Sequence, residues 1–275
     1  MAVQAGLLPI EPASIERAIE LNGVAVDLNL AAFRWGRWQV ADAGVVESAR
    51  GTVEGRADPP MLPADLLARV ESLAGGDSEL QADLGRFAAE LAAFQDARSA
   101  ARYLDELERV GDTSDSRALL AAVAAGLFTL TAYKDEYEVA RLMLDPDGQR
   151  EVAAVAGPGD RVAWRLHPPT LRALGMSTKI SIGARWRPAI RALAAGKRLR
   201  GTPLDPFGRA EVRKTERALP GEYLEAIHAT LAASGGRPEL AIEVAEAADL
   251  VRGYEHVKLA NVERFRARLA ELTSN

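Results

Sequence analysis

Four segments of this chain hold more polar specificity than helix packing requires, and they bound the chemistry available to it. The first is AYKDEYEVARL, residues 132–142. Tyr133 and Tyr137 stand one helical turn apart, as do Lys134 and Glu138. One reading is a helix braced by a Lys134–Glu138 ion pair worth about 0.2–0.5 kcal/mol. The other is that Tyr133, Asp135 and Glu136 orient a ligand. The second segment is HPP at 167–169. A residue before proline is held extended, so the direction of His167 is set, either toward a ligand or toward a carbonyl.

The third segment is LRGTPLDPFG, residues 199–208, with Lys197 and Arg198 just before it. Two glycines and two prolines predict a rigid, irregular loop, and such loops are where binding groups concentrate. Arg200 and Asp205 could pair with each other. Alternatively, Arg198 and Arg200 could hold a carboxylate or phosphate by charge-assisted hydrogen bonds. The fourth is VRGYEHVKLAN, residues 251–261, where His256 sits near the start of a helix after Gly253. It reads as a salt-bridged helix start or as a contact to a ligand.

No segment carries a complete catalytic signature. There is no Walker A loop, no G-x-G-x-x-G, no G-x-S-x-G and no H-E-x-x-H. The three histidines, His167, His228 and His256, are far apart in sequence, and none is paired with another at metal-ligand spacing. Cysteine is absent, which excludes a disulfide, a cysteine nucleophile and thiolate-held zinc or iron–sulfur clusters. No catalytic residue and no metal ligand is assigned, and the binding candidates are Tyr133, Asp135, Glu136, His167, Arg198, Arg200, Asp205 and His256.

These residues must be positioned by helices for the most part. Ala and Leu dominate while aromatic residues make up 5%, a bias toward helix. Residues 11–37 read as two helices broken at Asn22-Gly23, with Ser14 able to cap the first. Residues 40–63 are rich in Gly and Pro without periodicity and read as a linker. That divides the chain into 1–39, 40–63 and a mainly helical 64–275. A helix over 64–73 closes at Gly75-Gly76. Leu80, Leu84, Phe87, Leu91 and Phe94, then Ala101, Leu104 and Leu107, predict one long helix or two with a bend. Residues 115–144 read as one further long helix.

The pattern changes at Asp145-Pro146-Asp147-Gly148, a turn by composition. Residues 151–155 and 161–166 read as a hairpin, and Lys179–Ile182 alternates as a half-buried strand does. Short 189–195, a helix over 209–234 broken near Pro220-Gly221, 239–251 after Pro238, and 254–272 complete the helices. The fold class expected is mainly α (α+β), with a small antiparallel β-sheet in the middle of the chain.

Charge is unevenly placed. Residues 71–115 hold eleven acidic and four basic side chains, a balance of −7, while 185–217 hold ten basic and three acidic, a balance of +7. The basic block either packs against the acidic one or meets an external anion. With a net charge of −5, the chain is a poor candidate for nucleic acid. The longest uncharged run, Ala118–Tyr133, is shorter than the roughly 20 apolar residues that span a bilayer. The start carries no signal-peptide pattern. A cytoplasmic protein without membrane or nucleic-acid contact is expected.

The same four segments resemble the C-terminal domain of bacterial indolepyruvate ferredoxin oxidoreductases: AYKDEYEVARL, HPPTLRALG, LRGTPLDPFGRAEVR and VRGYEHVKLANVERFRA. LPIEPASIERAIELNGVAVDLNLAAFRWGR, residues 8–37, resembles the end of the preceding domain, the one comparable to the gamma subunit of 2-oxoacid ferredoxin oxidoreductases. The resemblance runs from about Gly6 to Leu269 and is weakest over 40–115. It implies an enzyme that oxidatively decarboxylates aryl pyruvates to acyl-CoA with thiamine diphosphate, iron–sulfur clusters and ferredoxin. The chain itself departs from that whole: it has no cysteine and no thiamine-binding stretch, so none of these cofactors is expected in it. What the resemblance implies is a non-catalytic region that packs on or regulates the catalytic domains of the same enzyme, inactive alone and possible as a homo-oligomer. It predicts an uncovered apolar patch near Ile15–Phe33. The alternative is an independent binding protein for an anionic ligand such as a CoA ester.

Overall fold

The computed structural model describes residues 3–23, 26–42, 62–146, 148–150, 163–166, 180–235, 237–253 and 255–273. By its contacts the chain forms two compact units, Met1–Ala57 and Asp58–Asn275. The expected linker falls largely on residues outside those described, as do the first strand of the predicted hairpin and His167.

The first unit is a helical hairpin. Helix α1 (Pro12–Asn22) starts on Pro12, whose fixed φ suits the first turn, and Ser14 does not cap it. It ends where Gly23 adopts a φ of 68° and donates its N–H to the Glu20 carbonyl. Helix α2 (Val26–Ala41) returns alongside it. Arg34 joins the two helices through a bidentate contact to Glu16 (2.9 and 3.2 Å).

The second unit is built on helices whose starts are set by short polar caps. Helix α3 (Ala64–Ala74) closes at Gly75, in the left-handed region. Asp77 caps α4 (Ser78–Phe94), accepting from the N–H groups of Glu79 and Leu80. Asp96 caps α5 (Ala97–Thr113) through the Ser99 N–H. The long apolar stripe is therefore two helices, because Asp96 satisfies the open donors of a new first turn more cheaply than a continued helix would bury it. Ser116 caps α6 (Arg117–Thr131).

Helix α6 is the centre of the core. It is apolar all round and buries Leu119, Leu120, Val123, Ala124, Gly126, Leu127 and Leu130. Around it pack α4, α5, α9 (Glu211–Ser234) and α10 (Pro238–Glu246), with the 3₁₀ turn Ala247–Leu250. The predicted single helix over 115–144 is corrected: α6 ends at Thr131, and α7 (Glu136–Leu144) leaves at 101° to it. Asp135 makes the break by capping α7 through the Glu138 N–H at 2.8 Å.

A second correction concerns Pro220, which lies inside an unbroken α9. Proline in a helix interior costs about 3 kcal/mol. On either side, however, Leu219, Tyr223, Ile227 and Leu231 are almost wholly buried, and each such side chain returns about 1.5–3 kcal/mol. The apolar stripe outweighs the proline. Helix α11 (Glu255–Thr273) then places Val262, Phe265, Leu269 and Leu272 in the core.

The chain is mainly helical. In place of a sheet layer stands one antiparallel ribbon of two four-residue strands, β1 (Ala163–Leu166) and β2 (Ile180–Gly183), with Ala163 opposite Gly183 and no third strand among the described residues. Two strands alone are marginal in water, so the expected small sheet is not supported as a structural layer. Helix α8 (Arg187–Ala195) follows and packs on α7. No single helix among the described residues is long and apolar enough to cross a membrane.

Candidate functional site

Five of the eight candidate residues come together where α4 ends, α7 begins and the loop 199–208 closes over both. Arg200 is the hinge pin. Its Nε and Nη2 donate to the two carboxylate oxygens of Asp135 at 2.6 and 2.9 Å, a bidentate geometry. Its Nη1 donates to the Phe94 carbonyl at 2.6 Å and to Gln95 Oε1 at 2.8 Å, the open C-terminal end of α4. The guanidinium lies over the Phe94 ring, 3.6 Å from its centre. The side chains of Arg200 and Asp135 are only 6% and 3% exposed, so this is a buried ion pair.

Asp205 holds the loop itself. It accepts from the Gly201 N–H, the Phe207 N–H and the Tyr137 hydroxyl, each at 3.1 Å. Gly201 reaches this arrangement at a φ of 75°. Gly208 is required by proximity instead: a Cβ there would fall 2.5 Å from Asp205 Oδ2. The Arg200–Asp205 pair, one of the two readings of this loop, does not form. Arg200 reaches across to Asp135, and Asp205 takes backbone N–H groups and Tyr137, because a carboxylate in a turn finds its nearest donors in its own backbone.

A second network adjoins the first. Arg213, near the start of α9, donates to the Lys134 carbonyl (3.1 Å), Glu216 (2.7 Å) and Glu136 (3.2 Å). Lys258 of α11 donates to the other oxygen of Glu216 at 2.6 Å. Three helices meet through these charges. The predicted Lys134–Glu138 pair is absent: Lys134 precedes the helix and is exposed, while Glu138 takes Arg141 at 2.7 and 2.9 Å. The basic block does pack against the acidic one, at Ala93, Phe94 and Gln95, though not through ion pairs. Among the described residues no carboxylate of 71–115 meets a cation of 185–217, and the basic side chains reach backbone carbonyls there, Lys197 at Ala93 and Arg200 at Phe94.

Burial sets the ionisation of the cluster. It pushes the Tyr133 hydroxyl up to about 12, with the Asp135 charge adding to the effect. Tyr137 is raised further, by burial and then by its bond to Asp205. Burial also raises the Glu136 carboxyl, with Arg213 opposing it. Lys197 is lowered by burial and by the neighbouring Arg141 and Arg200.

Arg198 is exposed and stands outside the cluster. His167 lies outside the described residues, and His256 sits in the first turn of α11 with its side chain undescribed. Sequence reasoning missed Tyr137, Arg213, Glu216 and Lys258. Arg213 and Glu216 did carry a signal, since they continue the spacing of Leu219, Tyr223 and Ile227 and so fall on the buried face of α9.

The chemistry open to this arrangement is limited. Among the described residues no buried side-chain nitrogen or oxygen lacks a hydrogen-bond partner, and no group of three or more His, Asp or Glu could hold a metal. With no cysteine in the chain, the residues present do not fit an iron–sulfur cluster. Fold and site together define a helical scaffold whose polar centre joins helix ends. The chain belongs to a family of unknown function, DUF6537, whose model matches residues 80–271 and so covers all of this cluster. No match was found among curated proteins or solved structures.

Proposed function

We propose that this chain is a non-catalytic C-terminal segment of an indolepyruvate ferredoxin oxidoreductase-like enzyme, serving there in packing or regulation. The whole enzyme would oxidatively decarboxylate aryl pyruvates to acyl-CoA in the cytoplasm with thiamine diphosphate and iron–sulfur clusters, none of them held by these residues. One observation carries the reading. The α1–α2 hairpin has no buried residue, although it is rich in apolar side chains. Leu21 and Leu28 are 73% and 70% exposed, and Trp35 and Trp38 are half exposed. Ile10, Ile15, Ala18 and Ile19 line an open groove of about 450 Å³. A helix pair gains most of its stability from tertiary packing, and an uncovered apolar surface of this kind marks an interaction site. Catalytic domains of the same enzyme would supply the cover.

The alternative, an independent binding protein for an anionic ligand such as a CoA ester, rests on the basic block and the loop around Arg200, with Arg198 and Arg200 as the anion-binding groups; Arg198 is exposed. Here Arg200 already holds Asp135, Phe94 and Gln95.

The test is isolation of the native particle from source cells through a tag on this chain. The reading expects thiamine diphosphate, iron and acid-labile sulfide in that particle, with aryl-pyruvate-dependent ferredoxin reduction. Ile19→Glu, on the groove, should loosen the packing of the hairpin against the rest of that particle, read as faster limited proteolysis between the two, without unfolding the second unit. A cofactor-free particle of this chain alone would refute it.

A further inference from the structure

The basic block divides into two populations. Lys197, Arg200, Arg213 and Arg217 have their acceptors within the fold. Arg185, Arg187, Arg191, Arg198, Arg209 and Lys214 are exposed and, among the described residues, have none. Three of the second group form a line. Helix α8 runs directly into the 3₁₀ turn Gly196–Leu199, so Arg187, Arg191 and Arg198 fall within about 80° of arc over about 18 Å, allowing for the tighter last turn. The neighbouring face, with Ile190, Leu193 and Ala194 half-buried, packs on α7, and Lys197 anchors the far end at the Ala93 carbonyl. The stripe is therefore fixed on a rigid element.

We infer that the Arg187–Arg191–Arg198 stripe is a docking surface for an acidic protein partner. Three observations favour that occupant. The stripe's positive charge is local to a chain of net charge −5, which suits a discrete acidic patch better than a long polyanion. Exposed apolar side chains, Trp186 before the stripe and Leu199 after it, flank the arginines. Arginine with tryptophan is the composition of protein–protein contact centres. The surface belongs to the second unit.

The probe is a synthetic helical peptide with glutamates on one face and leucines at its edge, followed by fluorescence anisotropy on the full chain. Controls are the same peptide with lysine for glutamate, and a single-stranded DNA of equal charge. Affinity for the acidic peptide should fall about tenfold or more between low and physiological salt, as exposed charge pairs are screened. The variant R187E/R191E/R198E should lose it by about a hundredfold through like-charge repulsion, with its circular dichroism and melting unchanged. R187K/R191K/R198K, which keeps the charge, should retain most of the binding. Equal affinity of the charge-reversed variant overturns the inference. So does DNA binding as tightly as the peptide, which would mark a general polyanion site, or salt-dependent self-association of the chain that the peptide does not displace.

Discussion

Replacing Asp135 with alanine removes two things at once. The cap of α7 goes, at about 1 kcal/mol, and Arg200 is left buried without its counter-charge. Breaking a buried pair from one side costs about 3–5 kcal/mol, and both partners here are nearly inaccessible. Loss of about 4–6 kcal/mol is expected, a large part of the stability of an ordinary domain. Arg200→Met keeps much of the stem's volume but strands Asp135 with only the Glu138 N–H as a close donor, and should cost about 3–4 kcal/mol. The double variant has no stranded charge. Its loss should therefore fall short of the sum by about 2–3 kcal/mol. Urea unfolding of the four proteins, with m-values compared to confirm a common transition, gives this coupling directly. If both single variants stay within about 1 kcal/mol of the parent and show no coupling, the clamp is not what joins these helix ends, and Arg200 regains its standing as a ligand group.

Other expectations follow from the core and from ionisation. Gly126→Ala would place a Cβ 2.4 Å from the Tyr223 hydroxyl and 3.1 Å from the Ala245 carbonyl. Thermal melting should show a loss of about 1–3 kcal/mol from overpacking, and a neutral result would mean that α6 and α9 can separate freely. Glu136 has a folded-state pKa raised above its ordinary 4.5, chiefly by burial and against the pull of Arg213. Its contribution is favourable while it is protonated, below 4.5, and fades as pH rises through the raised value. Glu136→Gln should therefore melt at or above the parent temperature near neutral pH, with the difference closing in acid. A variant less stable at neutral pH would show that the Arg213 pair outweighs burial.

Much of the helical frame was legible because it rests on local signals. Gly23 and Gly75 stop helices by taking positive φ, and the leucine spacing in α4 and α5 marks a single buried face. What escaped was decided between distant segments. Nothing local says that Arg200 passes over Asp205, five residues away, for Asp135, sixty-five residues away. That choice belongs to tertiary packing, which delivers Asp135 at a helix start and Phe94 at a helix end to the same corner. Asp135 itself was read as a ligand group inside a long helix, when as a cap it ends one helix direction and begins another. Pro220 misled for the opposite reason: a strong local breaker was overruled by the burial of its neighbours.

The central claim, that this chain works as part of a larger redox enzyme, is most directly tested by the size and content of the particle that contains it in source cells. Native size measurement with an antibody against this chain should place it in an assembly far above 29.4 kDa that carries iron, sulfide and thiamine diphosphate. A particle at the mass of this chain, or a small multiple of it, without those cofactors would contradict the account.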